Sequence, residues 1–342
     1  MSQGLHKPKT PLTMAAHQAL AAAGIPAEEM DRHRVLVALA CHPLHPQRAL
    51  LPGLVQAACL GVQSAGGNPV AVDLPSAAGL PGFAAGWGAE PLAQALEAMG
   101  RGLDVKALVL LAADEESLEG LLLGAARLGK AAVALPVSAI CDQGGHVALA
   151  QLARDAAAGK AGQQDWQAEM DGRRSEPGLG APGWWPHGLH CLCEAAGWSL
   201  PHASLAPLSG SAPLGLARQS GWEAVALANL GRSFADLAKP ANLKNAQALA
   251  QSLSLAPEAL AALGRIAQAA GAEPPQGPDK KPAPAWPRPE GAAAWQLEGG
   301  VAARMARLLD AGFLDGSAHG VTRLGLKELL SELPLPDQAD KA

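Results

Sequence analysis

The chain has 342 residues, 49% of them apolar, and carries 26 Lys and Arg against 31 Asp and Glu, a net charge of −5. That length allows one large domain or two average ones. The acidic balance lacks the basic face of a nucleic-acid binder, and no apolar run approaches the roughly 18 residues of a membrane helix.

The first 33 residues read as an N-terminal arm. Their Ala-rich stretch is broken by His17 and Gln18 and lacks the apolar core of a secretion signal. From Val35 to Ala40 (VLVALA) a continuous apolar run predicts a buried parallel strand. A helical pattern follows from Ala49 to Ala65 and stops at Gly66-Gly67. Strands are then expected over 69–74, 106–113 and 131–137, with helices over 90–99 and 117–128. Strand and helix alternating at short spacing is the pattern of a doubly wound parallel sheet flanked by helices.

After Ile140 the pattern turns mostly helical, with segments over 147–158, 187–196, 214–230, 241–253 and 257–270. Seven prolines in residues 273–290 predict an extended linker or loop. Helices over 300–311 and 322–330 read as a closing segment, residues 291–333, of the same domain as residues 34–272. Residues 334–342 are a tail.

The stretch ALVLLAADEESLEGLLLGAARLGK, residues 107–130, carries the most chemistry. Asp114, Glu115 and Glu116 stand where a strand gives way to a helix, the edge at which open α/β sheets bind ligands. Carboxylates there can hold Mg²⁺ or move protons. They can equally cap the helix, because an acid in the first turn meets free N–H groups and the positive end of the dipole.

His187, His190 and Cys191 share one helical face and are candidate zinc ligands by spacing, although no separated second ligand pair accompanies them. Core packing accounts for them as well. The cysteines are five, odd in number, without a CxxC, as expected of a reduced, cytoplasmic protein.

Four segments in order resemble one family, the dihydroxy-acid and 6-phosphogluconate dehydratases. LVQAACLGVQSAGGNPV resembles the family's first helix and its Ala-Gly-Gly turn. Residues 107–136 resemble its strand, Cys-Asp-Lys turn and helix. CEAAGWSLPHAS is similar to its Glu-Ala-Leu-Gly-x-Ser-Leu-Pro-Gly-Ser segment, and residues 298–329 to its later Ala-Gly-Gly helix and Thr-Gly-Lys-Thr segment.

The resemblance implies an N-terminal dehydratase domain and, in the family, an iron–sulfur cluster on cysteine thiolates, often with Mg²⁺. Carried over position by position, the cysteine of the Cys-Asp-Lys turn falls on Asp114. Its aspartate, a magnesium ligand in many members, falls on Glu115, and its lysine on Glu116. The cysteine after the first strand falls on Gln47 or, on the phosphogluconate pattern, on Ala77, with the adjoining aspartate on Ala78. The third cysteine falls on Gly180.

The resemblance runs to about residue 332, and the family's C-terminal barrel-like domain is expected to be absent. The expectation is therefore a degenerate, stand-alone domain without cluster or dehydratase activity, with Mg²⁺ left open. It would bind a small molecule, or a second copy or partner subunit over the face the barrel would cover. The alternative is a divergent hydro-lyase that uses a divalent ion on a phosphorylated or branched hydroxy acid.

Overall fold

The computed structural model describes residues 11–22, 24, 26, 29–30, 32–42, 48–76, 88–137, 152, 154–173, 188–206, 211–274, 282–286, 295 and 298–336. Four strands, β1 (Arg34–Cys41), β2 (Asn68–Pro75), β3 (Ala107–Ala112) and β4 (Ala131–Pro136), form one parallel sheet in the order β2-β1-β3-β4. β1, β3 and β4 are buried at every residue, which is why they read as unbroken apolar runs. β2 is the half-exposed edge. On the other side, the Ala134 N–H donates to the Trp198 carbonyl at 2.7 Å, so residues 198–199 continue the sheet beyond β4.

The helices among the described residues are α1 (Pro11–Ala22), α2 (Leu51–Ser64), α3 (Ala89–Gly102), α4 (Glu115–Leu128), α5 (Gln163–Arg173) and α6 (Gly188–Ala195). They continue as α7 (Ala212–Asn229), α8 (Phe234–Leu237), α9 (Pro240–Ser252), α10 (Pro257–Ala269), α11 (Gly300–Asp310) and α12 (Leu326–Glu332), with a 3-10 turn at Ala203–Leu205 and, within the expected helix over 147–158, helical backbone at the described residues 152 and 154–157. β1 connects through α2 to β2 on one side of it, and β2 through α3 to β3 on the other. Right-handed crossovers in opposite directions put their helices on opposite faces of a sheet. Accordingly α2 packs on α7 and α3 on α4. No described helix is long and apolar enough to cross a membrane.

Glycines set how closely these layers approach. A methyl on Gly120 would come within 2.6 Å of the Ala89 carbonyl oxygen, and one on Gly124 within 2.8 Å of that of Ala93, so α3 lies directly on the α4 backbone. α2 and α7 cross still more tightly, at Gly61 and Gly221. α4 starts at the Asp114 cap and ends at Gly129, whose φ of 62° is the left-handed helix-stop conformation.

The helical second half shares the same core. Trp198 is fully buried, tilts against Phe234 with ring centroids 5.3 Å apart, and donates Nε1–H to the Leu237 carbonyl at 2.9 Å. α6 is buried from Leu189 to Ala195. The Arg265 guanidinium ties α10 to α4 by donating to both carboxylate oxygens of Glu119, at 2.5 and 3.0 Å. Within the Pro-rich stretch, Ala283 is buried and its N–H donates to Gln251, while Trp286 lies under the guanidinium groups of Arg304 and Arg307.

Three helices, α1, α5 and the one-turn α8, were not expected. The closing helix begins at Leu326 rather than at residue 322. Val321 instead donates its N–H to the Gly197 carbonyl, and His319 bridges Gly325, which holds this stretch out of the helix.

Candidate functional site at the carboxyl edge of the sheet

The strand order reverses between β1 and β3. In an open α/β sheet the crevice outside the carboxyl ends of the strands at such a point is where ligands bind. Cys41 ends β1 there with His42 just after it, and Asp114 follows β3. From the β2 end come Asp73 and Ser76. The Arg48 guanidinium donates to the Cys41 carbonyl at 3.2 Å and to the Asp73 carboxylate at 2.8 Å. Ser76 and Ser117 share a hydroxyl–hydroxyl hydrogen bond of 2.7 Å, and Ser117 Oγ donates on to Asp114 Oδ2 at 2.8 Å. A polar chain thus links the ends of β2 and β3.

The three consecutive acids do not converge on a common point. Asp114 caps its own helix, with Oδ1 accepting the Ser117 N–H at 2.7 Å. Glu115 Oε1 accepts the Leu189 N–H at 2.6 Å, at the start of α6. Glu116 Oε1 accepts the Gly88 N–H at 2.6 Å, at the N-cap of α3. One turn therefore serves the positive ends of three helices, each left with free N–H groups by its own geometry. Among the described residues no group of three or more His, Cys, Asp or Glu is placed to hold a metal ion.

His190 and Cys191 are fully buried within α6. Gln47, Ala77, Ala78, Gly180 and His187 lie outside the described residues. Their described neighbours Arg48 and Ser76 stand at the same sheet edge as Asp114.

Burial raises the thiols. The Cys41 thiol is pushed up to about 11, chiefly by desolvation, with nearby Asp114 adding to the shift and Arg48 opposing it. Burial likewise pushes up Cys59, Cys191 and Cys193. His42 is shifted down, first by burial, with Asp114 acting against the shift. Because the Cys41 thiol ionises near 9.0 when unfolded and near 11 when folded, its contribution to stability is complete below pH 9.0 and is lost as pH rises toward 11. Urea midpoints followed across that window should fall less for Cys41→Ser than for the native chain. The raised thiols of Cys59, Cys191 and Cys193 add to the decline that remains.

Sequence reasoning singled out the turn at 114–116 but missed Arg48, Asp73, Ser76 and Ser117. Applying the strand-end rule to β2 as well as to β3 would have found Asp73 and Ser76.

A family model described as dihydroxy-acid/6-phosphogluconate dehydratase N-terminal matches residues 32–329. The chain belongs to this family. A dihydroxy-acid dehydratase of Desulfitobacterium hafniense is 27% identical over 354 residues, covering 96% of this chain and 62% of its own length. Those of Mycobacterium bovis and an Arthrobacter species are 29% and 28% identical, covering 96% and 92% of this chain. The chain spans about three fifths of the length of these curated relatives.

An iron–sulfur cluster requires thiolates converging on one point. Of the described cysteines, Cys41 lies at the sheet edge, Cys59 on α2, and Cys191 and Cys193 inside α6, each in surroundings that favour the neutral thiol. These four do not form a ligand set for the family's cluster.

Proposed function

We propose that this chain is a dehydratase-family domain in which the turn at residues 114–116 has become scaffolding, and that it binds a small molecule or a partner rather than dehydrating an acid. The observation that carries the reading is the engagement of Asp114, Glu115 and Glu116 with three different helix starts. The resemblance adds that the family's cysteine positions hold Gln47 or Ala77, Asp114 and Gly180 here. A divergent metal-dependent lyase is disfavoured, because the acids it would need are directed to separate backbone partners.

The test is the protein purified without oxygen. No stoichiometric iron or acid-labile sulfide is expected, and no dehydration of a branched dihydroxy acid or of 6-phosphogluconate above the blank. Iron and sulfide near equal amounts, or turnover of either acid, would overturn the reading.

The partner is a second copy of the chain or another subunit. Supporting this, α2 contains no charged residue, and the outer layer made by α2 and α7 exposes Leu60, Leu214, Trp222 and Leu230. Interface centres are depleted of charge and rich in such side chains. Sedimentation at micromolar concentration should give a dimer, or a monomer that a partner converts to a complex. A monomer with no such partner would count against it.

A further inference from the structure

The N-terminal arm carries a helix that nothing in its own chain covers. α1 is 12 residues long, PLTMAAHQALAA, and holds no Asp, Glu, Lys or Arg. Its described side chains, Met14, Ala15, Gln18, Ala19, Ala21 and Ala22, are all exposed, Met14 at 52%. A helix of that length is marginal in water on its own and needs a packed face to persist. The sequence provides an apolar stripe for that purpose, with Leu12, Ala15, Ala16, Ala19 and Leu20 at i, i+3, i+4, i+7 and i+8. Because the stripe is mostly Ala, its axis can approach a partner closely.

The outer face of α2 and α7 has the complementary character. α2 is uncharged, and Leu60, Leu214, Trp222 and Leu230 stand exposed on the two helices and at the end of α7. The arm joins the domain beside this face. The Asn68 N–H donates to the His33 carbonyl at 2.9 Å, and Asn68 Nδ2 donates to the Glu29 carbonyl. A methyl on the preceding Gly67 would lie 2.7 Å from Val225 and 2.9 Å from Val62, which places the arm's root against the carboxyl-terminal halves of α7 and α2. Turns take up the link between α1 and β1: Gly24 donates to the Ala21 carbonyl at 3.0 Å, Glu29 to that of Pro26 at 3.0 Å, and Arg32 to that of Glu29 at 3.1 Å. With these turns in place α1 leaves its own α2–α7 face open, whereas the face of another copy is met without undoing them.

We propose that α1 of one copy packs on the α2–α7 face of a second copy, and the reverse, in a dimer that exchanges its N-terminal arms. The inference rests on the partner reading above and names the partner: a second copy of this chain, held by its arm. Reciprocal exchange satisfies both arms and both faces at once, so the assembly closes at two copies. It also gives α1 the packed face that a helix of its length needs.

Two full-length variants test it by sedimentation. One carries Ala15→Glu and Ala19→Glu in the arm, the other Leu60→Glu and Leu214→Glu on the face. All four positions are exposed, so both variants should fold, with urea midpoints near the native value. The native chain should dimerise with a Kd on the order of 10 μM or tighter. Each variant alone loses both docked helices and should dimerise at least about 100-fold more weakly. Mixed in equal amounts, the two retain one native arm on one native face, and should form a heterodimer only about tenfold weaker than the native dimer. An arm variant that dimerises like the native chain would overturn the exchange while leaving a second copy as partner through the face itself. A mixture that stays monomeric would overturn it as well. A native chain that is monomeric at tens of micromolar would overturn it and leave the partner reading to another subunit.

Discussion

Gly221→Ala should destabilise the chain by about 3 kcal/mol or more, the upper end of the overpacking range, and Gly61→Ala by a similar amount. A methyl built on Gly61 lands 1.9 Å from the Arg218 carbonyl oxygen, and one on Gly221 lands 2.1 Å from that of Ala58. Both obstacles are backbone, so no side-chain rotation relieves them, and α2 and α7 would have to separate. That separation would also disturb β1 and β3, on which these helices rest. The two substitutions act at one crossing, so the double variant should cost less than the sum.

Gly215→Ala is the control. It lies in the same helix with nothing within 4 Å of the added methyl, and it should stabilise by about 0.4–1 kcal/mol through the unfolded chain. Urea midpoints at constant slope measure all three. If Gly221→Ala behaves like Gly215→Ala, the helices are not in the contact described. A loss of about 3 kcal/mol is a large share of a domain's roughly 5–15 kcal/mol, so the effect should also show as reduced soluble yield.

The sheet was legible because burial on both faces leaves its own signature. VLVALA and ALVLLA admit almost nothing polar, and neither does AAVALP. α5 was not legible: QQDWQAEMDGR has no apolar stripe, and its propensity alone does not mark a helix. The start of α12 was misplaced because the apolar period continues back to Val321, while the backbone there is committed to Gly197. Long-range hydrogen bonding overrode local pattern.

The same division runs through the site. That Asp114 caps α4 could be read from spacing, since Ser117 follows at the N3 position. That Glu115 and Glu116 serve other helices could not, because Leu189 and Gly88 are 74 and 28 residues away in the chain. The family resemblance located the turn and the substitutions in it; the packing supplies what the substituted residues now do.

The sign of a stability change separates the two readings of this turn. Three neighbouring carboxylates held for a metal ion, with no ion present, repel one another, by about 1 kcal/mol per pair at 4 Å in water. Neutralising them in the presence of a chelator should then stabilise the chain. Three carboxylates that cap helices do the opposite. Each is only partly buried, so solvent screening holds each cap near the usual ~1 kcal/mol, and Asp114→Ala, Glu115→Ala and Glu116→Ala together should cost about 2–4 kcal/mol. The losses should also fall in different places. Glu115→Ala should speed amide exchange at Leu189 and Glu116→Ala at Gly88, each leaving the other amide near its native rate, because the caps reach separate helices. A triple variant more stable than the native chain under chelation would return these acids to the role of ligands. A less stable one, with protection lost helix by helix, assigns the turn that follows β3 to holding α3, α4 and α6 together.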